Sequence, residues 1–293
     1  MVCKKCKCLN DKCRCRECRQ KQATNPVIHS QEVGKEKNVL TDYGLRFSRG
    51  ADGLPSPKDF TPSGENKVHW DQIVKAGISA QETITAAIPI GGTIAALYAN
   101  HRISYDLDHL LMNLKGEFSE ILELLGDVPG WKLAKKSPDK VILGSIDGVD
   151  VGFRQIRRNK PLATTVIQTP RGDWRVPTFG EILNLKAAMV AVRTKTRDFV
   201  DLVALFEAAE NEEKAIDNIM KIDTDFEGLQ SHSLLLSLSQ HLSSPSPDDL
   251  EAVDLSNYKG LSKRYQDWNS IRTRCQKMAE MIIARLVSNG APS

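Results

Sequence analysis

The chain has 293 residues, of which 41% are hydrophobic and 26% charged, and its formal net charge is +3. This is the profile of an ordinary globular protein, long enough for one large domain or two small ones around a buried core. No apolar run approaches the length of a membrane span, and the basic N-terminus lacks the apolar stretch of a secretory signal, so a cytoplasmic location is expected.

The charge is unevenly placed. Residues 1–21 hold eight Lys/Arg (Lys4, Lys5, Lys7, Lys12, Arg14, Arg16, Arg19, Lys21) against Asp11 and Glu17, a surplus of six. The rest of the chain therefore carries about −3. The basic segment either adds salt-sensitive affinity for nucleic acid or serves as a solvated tail. It also holds six of the seven cysteines, Cys3, Cys6, Cys8, Cys13, Cys15 and Cys18, spaced C-x2-C-x-C-x4-C-x-C-x2-C. Paired C-x2-C units match the spacing of zinc thiolates. Cys3 and Cys6 with Cys15 and Cys18 would make one tetrahedral Zn2+ site, and all six could hold two metals through shared thiolates. In a reducing compartment this is favoured over disulfides. No apolar residues surround the cysteines to form a packed finger, so an unstructured tail is the other reading. Cys275 stands alone on a helical pattern, as a packing or surface residue.

Residues 21–67 are polar and rich in Gly, Pro, Ser and Lys, as in Ser48-Arg49-Gly50-Ala51-Asp52-Gly53-Leu54-Pro55-Ser56-Pro57. They read as a flexible linker, with room for a short strand or helix around Val39–Phe47. From Trp70 to Ala87 the apolar spacing is helical. Then comes Ile88-Pro89-Ile90-Gly91-Gly92-Thr93-Ile94-Ala95-Ala96-Leu97, a short apolar strand, a Gly-Gly-Thr turn and a helix start. The turn lets backbone N–H groups approach an anion, and the helix dipole favours one there. Tyr105–Leu110 reads as a strand that places Asp106 and Asp108 on one face, with Leu107 facing a core. Two adjacent carboxylates repel unless a cation lies between them. Hard oxygen ligands suit Mg2+ or Mn2+.

Gly116–Leu125 is an amphipathic helix stopped at Gly126-Asp127-Val128-Pro129-Gly130. Lys140–Ser145 and Val149–Gln155 flank Asp147-Gly148, a hairpin signal. If the second of these strands lies beside the Asp106/Asp108 strand, Asp150 is a third carboxylate at the metals; otherwise it faces solvent. Ala163–Gln168 is a further strand, followed by a turn at Pro170–Asp173. Thr178-Phe179-Gly180-Glu181 fits a capping box at the start of a helix running past Val192. On this helix Lys186 shares a face with Arg193, Ile182 and Met189, and a Lys on a core stripe needs an anionic partner. Arg197 and Asp201 are spaced for an i,i+4 pair, with Asp198 as a candidate base or metal neighbour. Beyond Asn211 the pattern is helical throughout, over Ile216–Ile222, Leu229–Leu242 and Tyr258–Leu286, with Trp268, Met278 and Ile282 among the expected core.

Taken together, Gly91-Gly92-Thr93, Arg102-Ile103-Ser104-Tyr105-Asp106-Leu107-Asp108, Lys186 and Arg193-Thr194-Lys195-Thr196-Arg197-Asp198-Phe199-Val200-Asp201-Leu202 resemble the AbiEii/AbiGii-type nucleotidyltransferase toxins of the polymerase-β-like superfamily. The resemblance covers roughly residues 70–290. It implies an α/β (α+β) fold, a mixed sheet with flanking helices, over 68–210, followed by a helical region over 211–293. It further implies an enzyme that moves NMP from NTP to an acceptor hydroxyl with Mg2+ or Mn2+. Gly91, Gly92 and Thr93 would hold triphosphate, with Arg193 as a weaker nucleotide contact. Asp106 and Asp108 would bind the metals with Asp150 as an added ligand, Lys186 would stabilise the leaving phosphates, and Asp198 would act as base. Family precedent makes the acceptor RNA, a tRNA 3′ end, and makes the protein the toxin of a toxin–antitoxin or phage-defence system, with a cognate antitoxin and no membrane role. The alternatives are the same reaction on a small molecule or protein, and an inactive nucleic-acid-binding relative. The cysteine block has no counterpart in this pattern.

Overall fold

In a computed structural model of the chain, the described residues are 39–158, 160–252, 254–258, 260–288 and 290. The zinc assignment to Cys3, Cys6, Cys15 and Cys18 lies outside them. In chain order the principal elements begin with β1 (Val39–Leu40), β2 (Leu45–Arg49), β3 (Pro55–Phe60), α1 (Lys67–Thr83), β4 (Ile88–Ile90) and α2 (Gly91–Ala99). Next come β5 (Asp106–Leu111), α3 (Leu114–Gly126), β6 (Trp131–Ser137), β7 (Val141–Ile146), β8 (Val149–Gln155), β9 (Thr164–Thr169) and β10 (Gly172–Pro177). The rest is helical: α4 (Phe179–Val192), α5 (Thr196–Ala208), α6 (Glu212–Ile219), α7 (Ile222–Asp225), α8 (Leu234–Ser243) and α9 (Trp268–Ser288), with short 3-10 turns before α9.

The strands form two mixed sheets, with flanking helices and a helical C-terminal region, which is the expected α+β class. One sheet has the order β1-β2-β3-β9-β10, and the other β4-β5-β8-β7-β6. In the second sheet β5 and β8 are parallel neighbours while the other pairs are antiparallel.

Two expectations need correction, and two further strands had no prediction. Residues 39–60, read as linker with room for a short strand or helix around Val39–Phe47, form strands β1–β3. Leu45, Leu54 and Phe60 are buried and the rest of the segment is largely polar, so a few apolar anchors on one face sufficed and composition hid them. Tyr43 seals this sheet to the helical layer by donating its hydroxyl to Leu97 O at 2.9 Å. Strands β6 and β10 escaped notice for related reasons. β6 is an edge strand with hardly any burial, and β10 begins in the turn at Gly172. The capping box is half formed. Thr178 Oγ1 accepts from Glu181 N at 3.2 Å, but the Glu181 carboxylate turns away to Arg158 and to Ala163 N.

Helix α4 is apolar nearly all round and is correspondingly buried. It packs against α5, α6 and α8, while α2 packs on α4 and α5. Cys275 is fully buried in α9, a packing residue whose thiol is pushed up to about 12 by burial.

On β5, His109 faces the core with no exposure and stacks on Phe153, ring centroids 5.0 Å apart. Burial depresses its imidazole to about 4. The unfolded chain takes up that proton first, near pH 6.5. The stability His109 confers is therefore complete above about pH 6.5 and is lost as pH falls through its folded value. At about 1.4 kcal/mol per unit, the loss across this window is about 3 kcal/mol. Urea unfolding at several pH values should show that slope, and His109→Leu should reduce it. An unchanged slope in the variant removes His109 as its source.

Candidate functional site

The site is organised at the junction of β4, α2 and β5. Ile90 pairs with Asp108, so the chain turns into α2 directly beside the carboxylate strand. The two glycines of the turn serve different physical needs. Gly91 has φ +85, which a side chain would strain. Gly92 needs the absence of a Cβ, because one there would overlap Arg102 Nη2 and come within 3.0 Å of Ser104 Oγ. No side chain caps α2 at Ile90, leaving its first amides for solvent or an anion. The Thr93 hydroxyl is buried and donates to the backbone carbonyl of Asp106, tying the helix start to β5.

Asp106 and Asp108 share the open face of β5, while Leu107, His109 and Leu111 are buried on the other. Asp150 lies on β8 in register with Asp106, and Gly152 in register with Asp108. A Cβ on Gly152 would overlap Asp108 Oδ1, so that glycine makes room for the carboxylate. Ser104 Oγ donates to Asp106 Oδ1 at 2.7 Å, and Arg154 Nε to Asp108 Oδ1 at 3.1 Å. Among the described residues no group of three or more His, Cys, Asp or Glu is arranged to hold a metal ion. Asp150 sits beside the pair, in register with Asp106 on the neighbouring parallel strand. The pair alone suits Mg2+, which takes one or two carboxylates and completes its shell with water and substrate phosphates rather than a protein cage.

Behind the turn lies a buried charge network. Asp201 is fully buried. It accepts from Arg102 Nε at 2.7 Å and Nη2 at 3.0 Å, from His101 Nε2 at 2.7 Å, and pairs with Lys186 Nζ at 2.6 Å. Burial alone would raise its carboxyl pKa, but Arg102, Lys186 and the hydrogen bonds from His101 and Arg102 outweigh this and hold it well below the usual range. Burial also lowers the His101 pKa, against the pull of Asp201. Because a carboxylate only accepts, the Nε2 facing it carries a proton. Asp198, also fully buried, pairs with Lys186 Nζ at 3.4 Å and with Arg193 Nε at 2.9 Å.

Lys186, Arg193 and Asp198 are thus brought together, and Asp106, Asp108 and Asp150 share a face. Arg102 joins the two groups, with one edge on Asp201 and Nη2 beneath Gly92. The expected Arg197–Asp201 pair is not what occupies Asp201, and Arg197 is exposed. Lys186 is engaged with Asp198 and Asp201, and Asp198 with Lys186 and Arg193, rather than facing solvent. The sequence pattern paired Asp201 with Arg197 and assigned no role to His101, Arg102, Ser104, Gly152 or Arg154. One signal was present. Asp198 and Asp201 are three apart on a helix whose neighbours Phe199, Val200, Leu202 and Val203 are all apolar, and acids on a core stripe require buried cations.

No protein-family model matches the chain. A curated relative, the mycolic acid-containing lipids exporter MmpL11 of Mycolicibacterium smegmatis (strain ATCC 700084 / mc(2)155), is 28% identical over 127 residues, which are 42% of this chain and 13% of that one. The chain thus spans about an eighth of the length of the curated relative it matches. Among the described residues no helix is long and apolar enough to cross a membrane. The solved structures it is similar to include JHP933 from Helicobacter pylori (19% identity, TM-score 0.47, 77% of this chain and 95% of that one). They also include MenT4, a nucleotidyltransferase toxin from Mycobacterium tuberculosis H37Rv (14% identity, TM-score 0.47, 75% of this chain and 90% of that one).

Proposed function

We propose that the chain transfers a nucleoside monophosphate from an NTP to an acceptor hydroxyl with release of pyrophosphate, the acceptor being RNA at a tRNA 3′ end. The observation that carries this reading is the uncapped helix start over Arg102 beside the Asp106/Asp108 pair: an anion seat adjoining hard-oxygen ligands. The amides of Gly91, Gly92 and Thr93 donate to the triphosphate, and Arg102 supplies positive charge below them. A divalent ion held by Asp106 and Asp108, with Asp150 nearby, offsets charge on the attacked phosphate and the leaving group. Arg193, 44% exposed at its side chain and held by Asp198, is a further nucleotide contact. Lys186 acts through Asp201, fixing the carboxylate that orients Arg102. Asp198 acts by holding Arg193, since its burial keeps it from an acceptor hydroxyl. The motif resemblance supports a toxin acting on RNA in the cytoplasm, with an antitoxin as partner.

The test is incubation with labelled NTPs, Mg2+ and total RNA. Wild type should label RNA, and Asp108→Ala should lower labelling by about 10²–10³-fold, the scale of losing a key electrostatic group. Undiminished labelling in the variant would remove Asp108 from the site, and label in protein or small molecules would reassign the acceptor.

A further inference from the structure

The second sheet has one buried face and one open face, and its registers draw rows across the open one. Asp106 pairs with Asp150, Asp150 with Ser145, and Ser145 with Lys132. One step along, Asp108 pairs with Gly152, Gly152 with Leu143, and Leu143 with Lys135. Side chains in register share a face, so each row runs from a candidate metal ligand to a lysine on edge strand β6. Three strand spacings separate the ends, about 14 Å. Lys132 and Lys135 are exposed, and among the described residues neither has an ion-pair partner. Between the ends lie a half-buried hydroxyl, Ser145, and a half-buried apolar side chain, Leu143.

Resting on the nucleotidyl-transfer reading, we infer that this open face is the track of the acceptor, a single-stranded RNA whose terminal hydroxyl lies at Asp106/Asp108 and whose upstream phosphates lie on Lys132 and Lys135. Charge complementarity carries the assignment. A polyanion is repelled by three carboxylates and needs cations at a distance from them, and beyond the N-terminal segment the chain is net negative. The two unpaired lysines supply those cations in line with the carboxylates. Lysines on an edge strand also deter pairing with other strands, but that role involves no RNA.

The test compares wild type with a Lys132→Gln/Lys135→Gln variant of the full chain, using a short fluorescein-labelled single-stranded RNA with Mg2+ present. Both lysines are exposed, so thermal unfolding should be unchanged. Removing two phosphate contacts should weaken RNA binding and lower the slope of log Kd against log salt by about 1.4. It should also raise the RNA concentration for half-maximal labelling while leaving that for NTP unaltered. Unchanged RNA binding and salt slope overturn the track, whatever the transfer assay gives. If wild type transfers no nucleotide to RNA while the two lysines still carry RNA binding, the transfer reading fails and the track stands.

Discussion

Asp201→Ala should destabilise the protein by about 3–5 kcal/mol, the usual range when one member of a buried ion pair is removed and its partner is left uncompensated. Three groups converge on this carboxylate: Arg102 through two nitrogens, Lys186 and His101. Lys186 would retain Asp198 at 3.4 Å. Arg102, with 10% of its side chain exposed, has little access to water and, among the described residues, no second carboxylate at ion-pair distance. Against a total stability of about 5–15 kcal/mol, the loss should be plain in the urea midpoint with the slope of the transition unchanged. The pH dependence supplies an independent check. Asp201 has its carboxyl depressed in the fold, so its contribution is complete above the unfolded value near pH 3.9 and is lost as pH falls through the lower folded value. The variant should lack this acid-sensitive component. Arg102→Met should also cost much less in the Asp201→Ala background than alone, because the pair is then already broken. A destabilisation under about 1 kcal/mol, or additive effects of the two substitutions, would show that the network does not bear on the fold.

The same network explains what could be read from the chain and what could not. The elements around the site were legible because each has a local signature: Gly-Gly before an apolar helix, alternating Asp-Leu-Asp, Asp-Gly between β-rich runs. Register was legible only conditionally. Asp150 could be placed beside Asp106 if their strands were neighbours, and whether parallel strands pair is a property of the whole sheet. Charge pairing was the least legible. Arg197 lies four residues before Asp201 and offers the local solution, yet Asp201 is claimed by Arg102, ninety-nine positions earlier. Local spacing ranks partners by position along the helix, whereas burial selects whichever cation is presented by the opposing layer. The strands over 39–60 were hidden for a similar reason. Their anchors, Leu45, Leu54 and Phe60, acquire meaning only against the core that covers them.

Arg102 is where structural and functional demands meet, and Gly92→Ala separates them. Its Cβ would overlap Arg102 Nη2, the far end of a side chain that Asp201 holds by two hydrogen bonds. Alanine favours the helix by up to about 1 kcal/mol over glycine, but moving Nη2 aside breaks its hydrogen bond to buried Asp201 while Nε keeps its own, at about 1.5–3 kcal/mol, so stability should fall by about 1–2 kcal/mol, less than on removing Asp201. The anion seat should not survive so well. Displacing Nη2 forfeits a charge-assisted hydrogen bond to phosphate of about 1.5–3 kcal/mol, which is about 10–100-fold in affinity. The NTP concentration for half-maximal transfer should rise by that factor. Gly91→Ala provides the contrast: at φ +85 its methyl is strained by about 1–2 kcal/mol, and nothing but Asp108 Cβ, at 3.9 Å, lies near it. That variant should lose stability with Arg102 still in place. If Gly92→Ala leaves NTP saturation unchanged while remaining folded, Arg102 is not at the phosphates and the turn is a packing device alone.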